Sequence, residues 1–251
     1  MKSSTFYENE VPYGILEKFG LTHEMIEDLP MFALEDIAQG RPSPLLPLRV
    51  TDEQGHIQQN YSRFALVRLD DNKVDVMFYP ALEYAPLDHF TNEQQNLLRN
   101  GKAIMADITM PDGKVLKSFV QIDSETNQVM AVPSPVIGKN IQVVSDELSL
   151  GSSEIQTIQK GDPLTFISDD QMVTVGIDLH SQVGLRFAGG DGQKWKEEGK
   201  REWDKYTFGC YGCWIMDDNG CLSYVPEEEY TDELWNEQKK MGERNVVNQR
   251  K

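Results

Sequence analysis

Three glycines, Gly40, Gly101 and Gly161, stand 61 and 60 residues apart, and each closes a helix-like segment that leads into alternating apolar strands. The second hairpin after each glycine has one shape: Val67-Arg68-Leu69-Asp70, Val120-Gln121-Ile122-Asp123 and Val175-Gly176-Ile177-Asp178. A polar turn follows every copy, and the return strand opens on Val74, Val129 or Val183. Glycine after a helix can take the left-handed conformation that ends it, and aspartate after an aliphatic residue initiates a turn by bonding backbone groups two residues on. Asp70, Asp123 and Asp178 are therefore read as turn formers and not as an acid triad. A period near 60 residues exceeds most solenoid repeats. The expected fold class is α+β: tandem small units, each a short helix followed by a three-stranded antiparallel meander.

Residues 91–132 are the clearest copy. Thr91 with Gln94 makes a capping box, Leu97 and Leu98 form the apolar face, and Gly101 stops the helix. Ile104, Ala106 and Ile108 then alternate with polar neighbours as a half-buried strand does, Pro111-Asp112-Gly113 turns the chain, and 119–122 pairs with 129–132. The first copy is preceded by short helical segments between residues 13 and 39, broken at Gly20 and Pro30. Pro42, Pro44 and Pro47 predict an extended edge, and 63–69 and 74–79 predict a hairpin. In the third copy a helix with Ile155 and Ile158 precedes strands at 164–167, 172–179 and 183–187. Residues 133–151 read as a connector with an extra strand at 141–144, and 189–193 as a flexible linker. Further on come a strand-like run at 206–216, a turn at Asp218-Asn219-Gly220, a return strand at 222–225 and a helix at 232–241. The expected division is 1–86 (helical start and first unit), 87–145 (second unit), 146–190 (third unit) and 191–251 (hairpin and helix).

With 39% hydrophobic residues over 251 positions, a core is expected throughout. The net charge of −17, from 24 basic and 41 acidic residues, repels phosphate backbones at long range, so direct nucleic-acid binding is disfavoured. No apolar run reaches membrane-span length and residues 1–10 hold no apolar signal core, which together with only three cysteines predicts a cytoplasmic protein without a disulfide framework or membrane association.

Candidates for chemistry are few. Cys210-Tyr211-Gly212-Cys213 with Cys221 offers three thiolates, one short of a closed structural zinc site. A thioredoxin-type role would place the pair at a helix start, whereas Trp214-Ile215-Met216 continues as a strand. His23, His56, His89 and His180 are scattered and read as surface or turn residues. Neither a nucleophile elbow nor a phosphate-binding glycine loop is present, so no catalytic residue, enzymatic activity or cofactor is expected, zinc at the cysteines being the alternative. Arg41, Arg49, Arg63 and Arg68 fall in the first unit near Phe64, Phe78 and Tyr79, where a shared sheet face would make an anion-binding groove.

Residues 15–22, Ile15-Leu16-Glu17-Lys18-Phe19-Gly20-Leu21-Thr22, leading to Gly40-Arg41 and Leu45-Leu46-Pro47-Leu48, resemble the amino-terminal domain of uncharacterised proteins carried by conjugative transposons and related mobile elements of Bacteroidetes. Phe90-Thr91-Asn92-Glu93-Gln94, Leu97-Leu98, Gly101-Lys102 and 119–132 resemble the repeat modules that follow that domain. The resemblance covers roughly residues 10–190 and implies a mobile-element setting without a catalytic motif. The expected function is a non-enzymatic binding or adaptor protein with a protein partner. An acidic nucleic-acid mimic that inhibits a DNA-binding host protein, and a small zinc or redox protein, are the alternatives.

Overall fold

A computed structural model describes residues 6–51, 54–110, 113–168, 170–181, 183–198, 203–218 and 220–248. The turns expected at 52–55, 111–113, 169–170, 180–182 and 218–220 fall partly outside these residues, and the ends 1–5 and 249–251 wholly so.

In chain order, α1 (Tyr13–Leu16), α2 (His23–Glu27) and α3 (Met31–Ala38) precede β1 (Leu46–Thr51), β2 (Ile57–Arg68) and β3 (Val74–Pro80). Next come α4 (Asn92–Arg99), β4 (Ile104–Thr109), β5 (Val115–Ile122), β6 (Val129–Pro133) and α5 (Ser134–Leu148). Then α6 (Ser152–Gln159) leads to β7 (Leu164–Ser168), β8 (Gln171–Ile177) and β9 (Leu185–Gly189). The chain continues through α7 (Gly192–Glu198), β10 (Tyr206–Phe208), β11 (Gly212–Met216), β12 (Leu222–Pro226) and α8 (Asp232–Asn248). The strands make four separate three-stranded sheets, ordered β1-β2-β3, β4-β5-β6, β7-β8-β9 and β10-β11-β12, with every pairing antiparallel. The fold is α+β, built of small helix-plus-meander units.

The local reading matches the geometry for the glycines and for Asp123 and Asp178, whereas in the first copy it is the Asp71 carboxylate, next to Asp70, that accepts from the Lys73 amide at 3.2 Å. Gly40, Gly101 and Gly161 have φ of +72°, +74° and +79°, the left-handed stop after α3, α4 and α6. The Asp123 carboxylate accepts from the Glu125 amide at 3.1 Å and the Thr126 hydroxyl at 2.9 Å, and that of Asp178 accepts from the His180 amide at 3.0 Å.

Three local expectations are corrected. Residues 141–144 are not a strand but part of α5, where Ile137, Ile141 and Val144 recur at helical spacing and are buried together. The linker expected at 189–193 is structured: Gly189 ends β9, Gly192 opens α7, and the Asp191 carboxylate accepts from the Gln193 and Lys194 amides at 3.0 and 2.9 Å. The run 206–216 is two strands, β10 and β11, reversing at Gly209 to Tyr211.

Two compact units result, Met1–Ala81 with Glu202–Lys251, and Leu82–Arg201. This grouping differs from the four sequence segments, and buried surface explains why. In the first unit Trp214 and Leu222 complete a core with Leu16, Leu21, Ile26, Leu46, Phe64 and Leu66, so the carboxyl-terminal sheet shares the core of the first. In the second unit β5 serves two cores through its alternation: Val120 packs with Leu98, Ile104 and Ala106, while Phe119 packs with α5 and the β7-β8-β9 sheet. Trp195 of α7 packs over Gly176 and donates its indole N–H to the Arg186 carbonyl at 2.9 Å, which ties residues 192–198 to that sheet. A side chain at Gly161 would stand 1.9 Å from the Ala103 carbonyl oxygen, and Lys102 pairs with Asp162 at 2.6 Å beside it. The second and third meanders are therefore docked at short range.

Candidate functional site

The densest polar arrangement lies in the first unit, around α2. Thr22 caps this helix by accepting from the Met25 amide at 3.3 Å, which sets the rotation of its short turn. Ile26 turns into the core, His23 and Glu27 share a more exposed side at i and i+4, and Asp28 follows at the helix end.

Asp28 is 3% exposed, and its carboxylate is the acceptor for the β10–β11 turn. The Cys210 amide donates to Oδ1 at 2.6 Å, the Tyr211 amide donates to both oxygens at 3.2 and 3.1 Å, and the Tyr224 hydroxyl donates to Oδ2 at 2.6 Å. Gly209 makes the approach possible, because a Cβ there would lie 2.1 Å from the carboxyl carbon. Beside this cluster the Trp214 indole donates to the Met25 carbonyl at 3.0 Å. Burial, with the Asp28 carboxylate beside it, pushes the Tyr224 phenol well above its usual range. Burial likewise raises the Tyr230 phenol, and it pushes the Cys213 thiol up to about 11.

On the outer side of α2, Glu8, His23 and Glu27 bring one imidazole nitrogen and two carboxylate oxygens within 4.8 Å of one another. His23 Nε2 stands 3.4 Å from a Glu27 oxygen, and the Tyr13 ring meets the imidazole edge-on at 4.1 Å between centroids. The negative charge of Glu27 holds the Tyr211 phenol above its ordinary range. Burial and the charges of Glu27 and Glu8 do the same to Tyr13.

The arginines singled out by sequence are engaged separately. Arg41 caps α3 through Asp36 and Gln39, with its Nε 2.8 Å from Asp36. Arg68 forks onto Glu10 at 2.9 and 3.2 Å, over the Phe6 ring, and holds that carboxyl below its usual range. Arg63 donates to the Ser43 carbonyl at 2.8 Å, and Arg49 is exposed on β1. The cysteines also lie apart in environment: Cys210 is exposed in the turn, Cys213 is buried on β11, and Cys221 is half-buried with its amide donating to Asp217 at 2.8 Å. Among the described residues, the three-ligand group that does form contains His23 and no cysteine. Its sequence signal was the His23–Glu27 spacing of one helical turn; the contribution of Glu8 had none, since it comes from a separate 3-10 turn, Glu8–Glu10.

The second unit holds an open cleft of about 480 Å³ between α4, α6 and β4, with Gln94, Lys102, Gln156 and Lys160 over a floor of Leu97, Ile104 and Met105. No helix among the described residues is long and apolar enough to cross a membrane.

These features define a protein of small α+β meander units, the first of them completed by a carboxyl-terminal hairpin. Residues 6–89 match the family described as "Protein of unknown function (DUF4099)". The match spans α1 to α3 and the β1-β2-β3 sheet, and the carboxyl-terminal hairpin lies beyond it. Comparison with curated proteins found no match, and neither did comparison with solved structures.

Proposed function

We propose that this chain is a non-enzymatic binding or adaptor protein that engages a protein partner through the tips of its hairpins, in the mobile-element setting that its sequence resemblance implies. One observation carries the reading. The first hairpin of each of the three leading sheets exposes a pair of apolar side chains at its far end: Val50 and Ile57, Val115 and Leu116, Ile167 and Met172. Ile57, Val115 and Ile167 are 69%, 62% and 75% exposed. Apolar side chains held in water near the turn of three successive hairpins suit a partner surface, because covering each removes apolar area from water at about 25 cal/mol per Å². Ile57, Val115 and Ile167 belong to none of the three cores, so substituting them by serine should leave the cores intact. Tagged wild-type and triple-variant chains, expressed at equal level in the cell of origin, should then differ in one stoichiometric protein band. Identical recovery from both chains, or turnover of a small molecule by the purified protein, would refute the reading.

A further inference from the structure

We propose that Glu8, His23 and Glu27 form a binding site for one divalent transition-metal ion of the zinc class. The 3.4 Å between His23 Nε2 and the Glu27 oxygen equals the edge of a tetrahedron whose metal–ligand bonds are about 2.1 Å. Two of the three ligands are therefore at coordinating separation, held there by one turn of α2. Glu8 comes from a different element, and all three ligand atoms stay within 4.8 Å. Coordination requires the Glu8 oxygen to move in from that separation, and its side chain is exposed.

Charge favours the same conclusion. Among the described residues, neither Glu8 nor Glu27 is paired with a lysine or arginine, whereas nearby Glu10 and Asp36 are answered by Arg68 and Arg41. Two carboxylates crowded on one imidazole repel each other, and a cation between them relieves that repulsion. Outer contacts fix the ligands in the way metal sites require. The Tyr13 ring limits the imidazole plane, and the Tyr211 phenol lies close enough to Glu27 to feel its charge. The donor set selects the ion. One nitrogen and two oxygens suit zinc or its first-row neighbours, while calcium takes six to eight oxygen ligands and magnesium retains most of its water. Three protein ligands leave one position for water or for a group from a partner.

The test uses the full chain, stripped with chelator and titrated with Zn²⁺ by calorimetry. One equivalent should bind, and His23→Ala and Glu27→Gln should each weaken binding at least about tenfold. Cys210→Ser with Cys221→Ser should leave it unchanged. Co²⁺ loaded in place of zinc should show visible ligand-field bands without the intense sulfur charge-transfer absorption of a thiolate site. Circular dichroism checks that each variant is folded; Glu8→Gln, at an exposed position, supplies a variant whose folding is not at stake. Absence of saturable binding, equal affinity for Ca²⁺ or Mg²⁺, or zinc affinity that follows the cysteine variant would each overturn the proposal.

Discussion

Replacing Asp28 by alanine should unfasten the carboxyl-terminal hairpin from α2. The carboxylate is 3% exposed and satisfies two backbone amides and one phenol, at 2.6 to 3.2 Å. Truncation strands all three donors, and each buried unsatisfied group costs roughly 1–3 kcal/mol. Partial entry of water into the vacated space limits the total, so the expected loss is about 3–5 kcal/mol, the range seen when one partner of a buried charged pair is removed. Asp28→Asn should cost less, about 1–2 kcal/mol, because its carbonyl still serves the Cys210 and Tyr211 amides and the Tyr224 hydroxyl can rotate to accept from the new amide. The measurement is urea unfolding followed by fluorine NMR of 5-fluorotryptophan-labelled protein, which separates Trp214 of the first unit from Trp195 of the second. With a slope of about 1–3 kcal/mol per M, the Trp214 midpoint should fall by roughly 2 M in the alanine variant while the Trp195 midpoint holds. An alanine variant within about 1 kcal/mol of wild type by this assay, or one less perturbed than the asparagine variant, would refute the reasoning.

A fragment limited to residues 6–89 should fail to fold cooperatively, because it lacks Trp214 and Leu222 from its core; adding the 203–248 segment in trans should restore near-ultraviolet dichroism. Gly161→Ala should destabilise the second unit, since its Cβ would meet the Ala103 carbonyl at 1.9 Å at a residue with φ of +79°; Trp195 unfolds at lower urea and Trp214 does not. Cys213 has its thiol raised by burial to about 11 from an ordinary value near 9.0, so the folded state favours the protonated form. Its stabilising contribution is complete below about pH 9 and fades as pH rises towards 11, at up to about 1.4 kcal/mol per pH unit; Cys213→Ala should remove this share of the alkaline loss, while the raised Tyr224 and Tyr230 phenols keep theirs. At pH 8 a maleimide should modify exposed Cys210 and spare Cys213, and mass spectrometry of the native protein reads the difference.

Local rules were enough for much of this chain. The glycine stops, the capping box at Thr91 and Gln94, the turn-forming Asp123 and Asp178, and the alternation in β4 each depend on residues within a few positions of one another. Nearest-neighbour sterics and hydrogen bonding decide them, so the α+β class and its meander units were legible from sequence alone. Where a local pattern had two readings, packing chose. The cluster Ile141-Gln142-Val143-Val144 is as compatible with a strand as with a helix; burial of Ile137, Ile141 and Val144 against Phe119 and Val175 is what makes it α5. Only tertiary structure could reveal that Trp214 completes the core begun by Leu16, or that Asp28 is the acceptor for a turn more than 180 residues away. In sequence Asp28 is one acid among several between residues 24 and 36, and Glu8 and His23 have no relation at all. Spacing along the chain carries the geometry of one turn or one hairpin. Which side chains share a buried site across the chain is set by where apolar surface finds cover, and no short stretch of sequence contains that information.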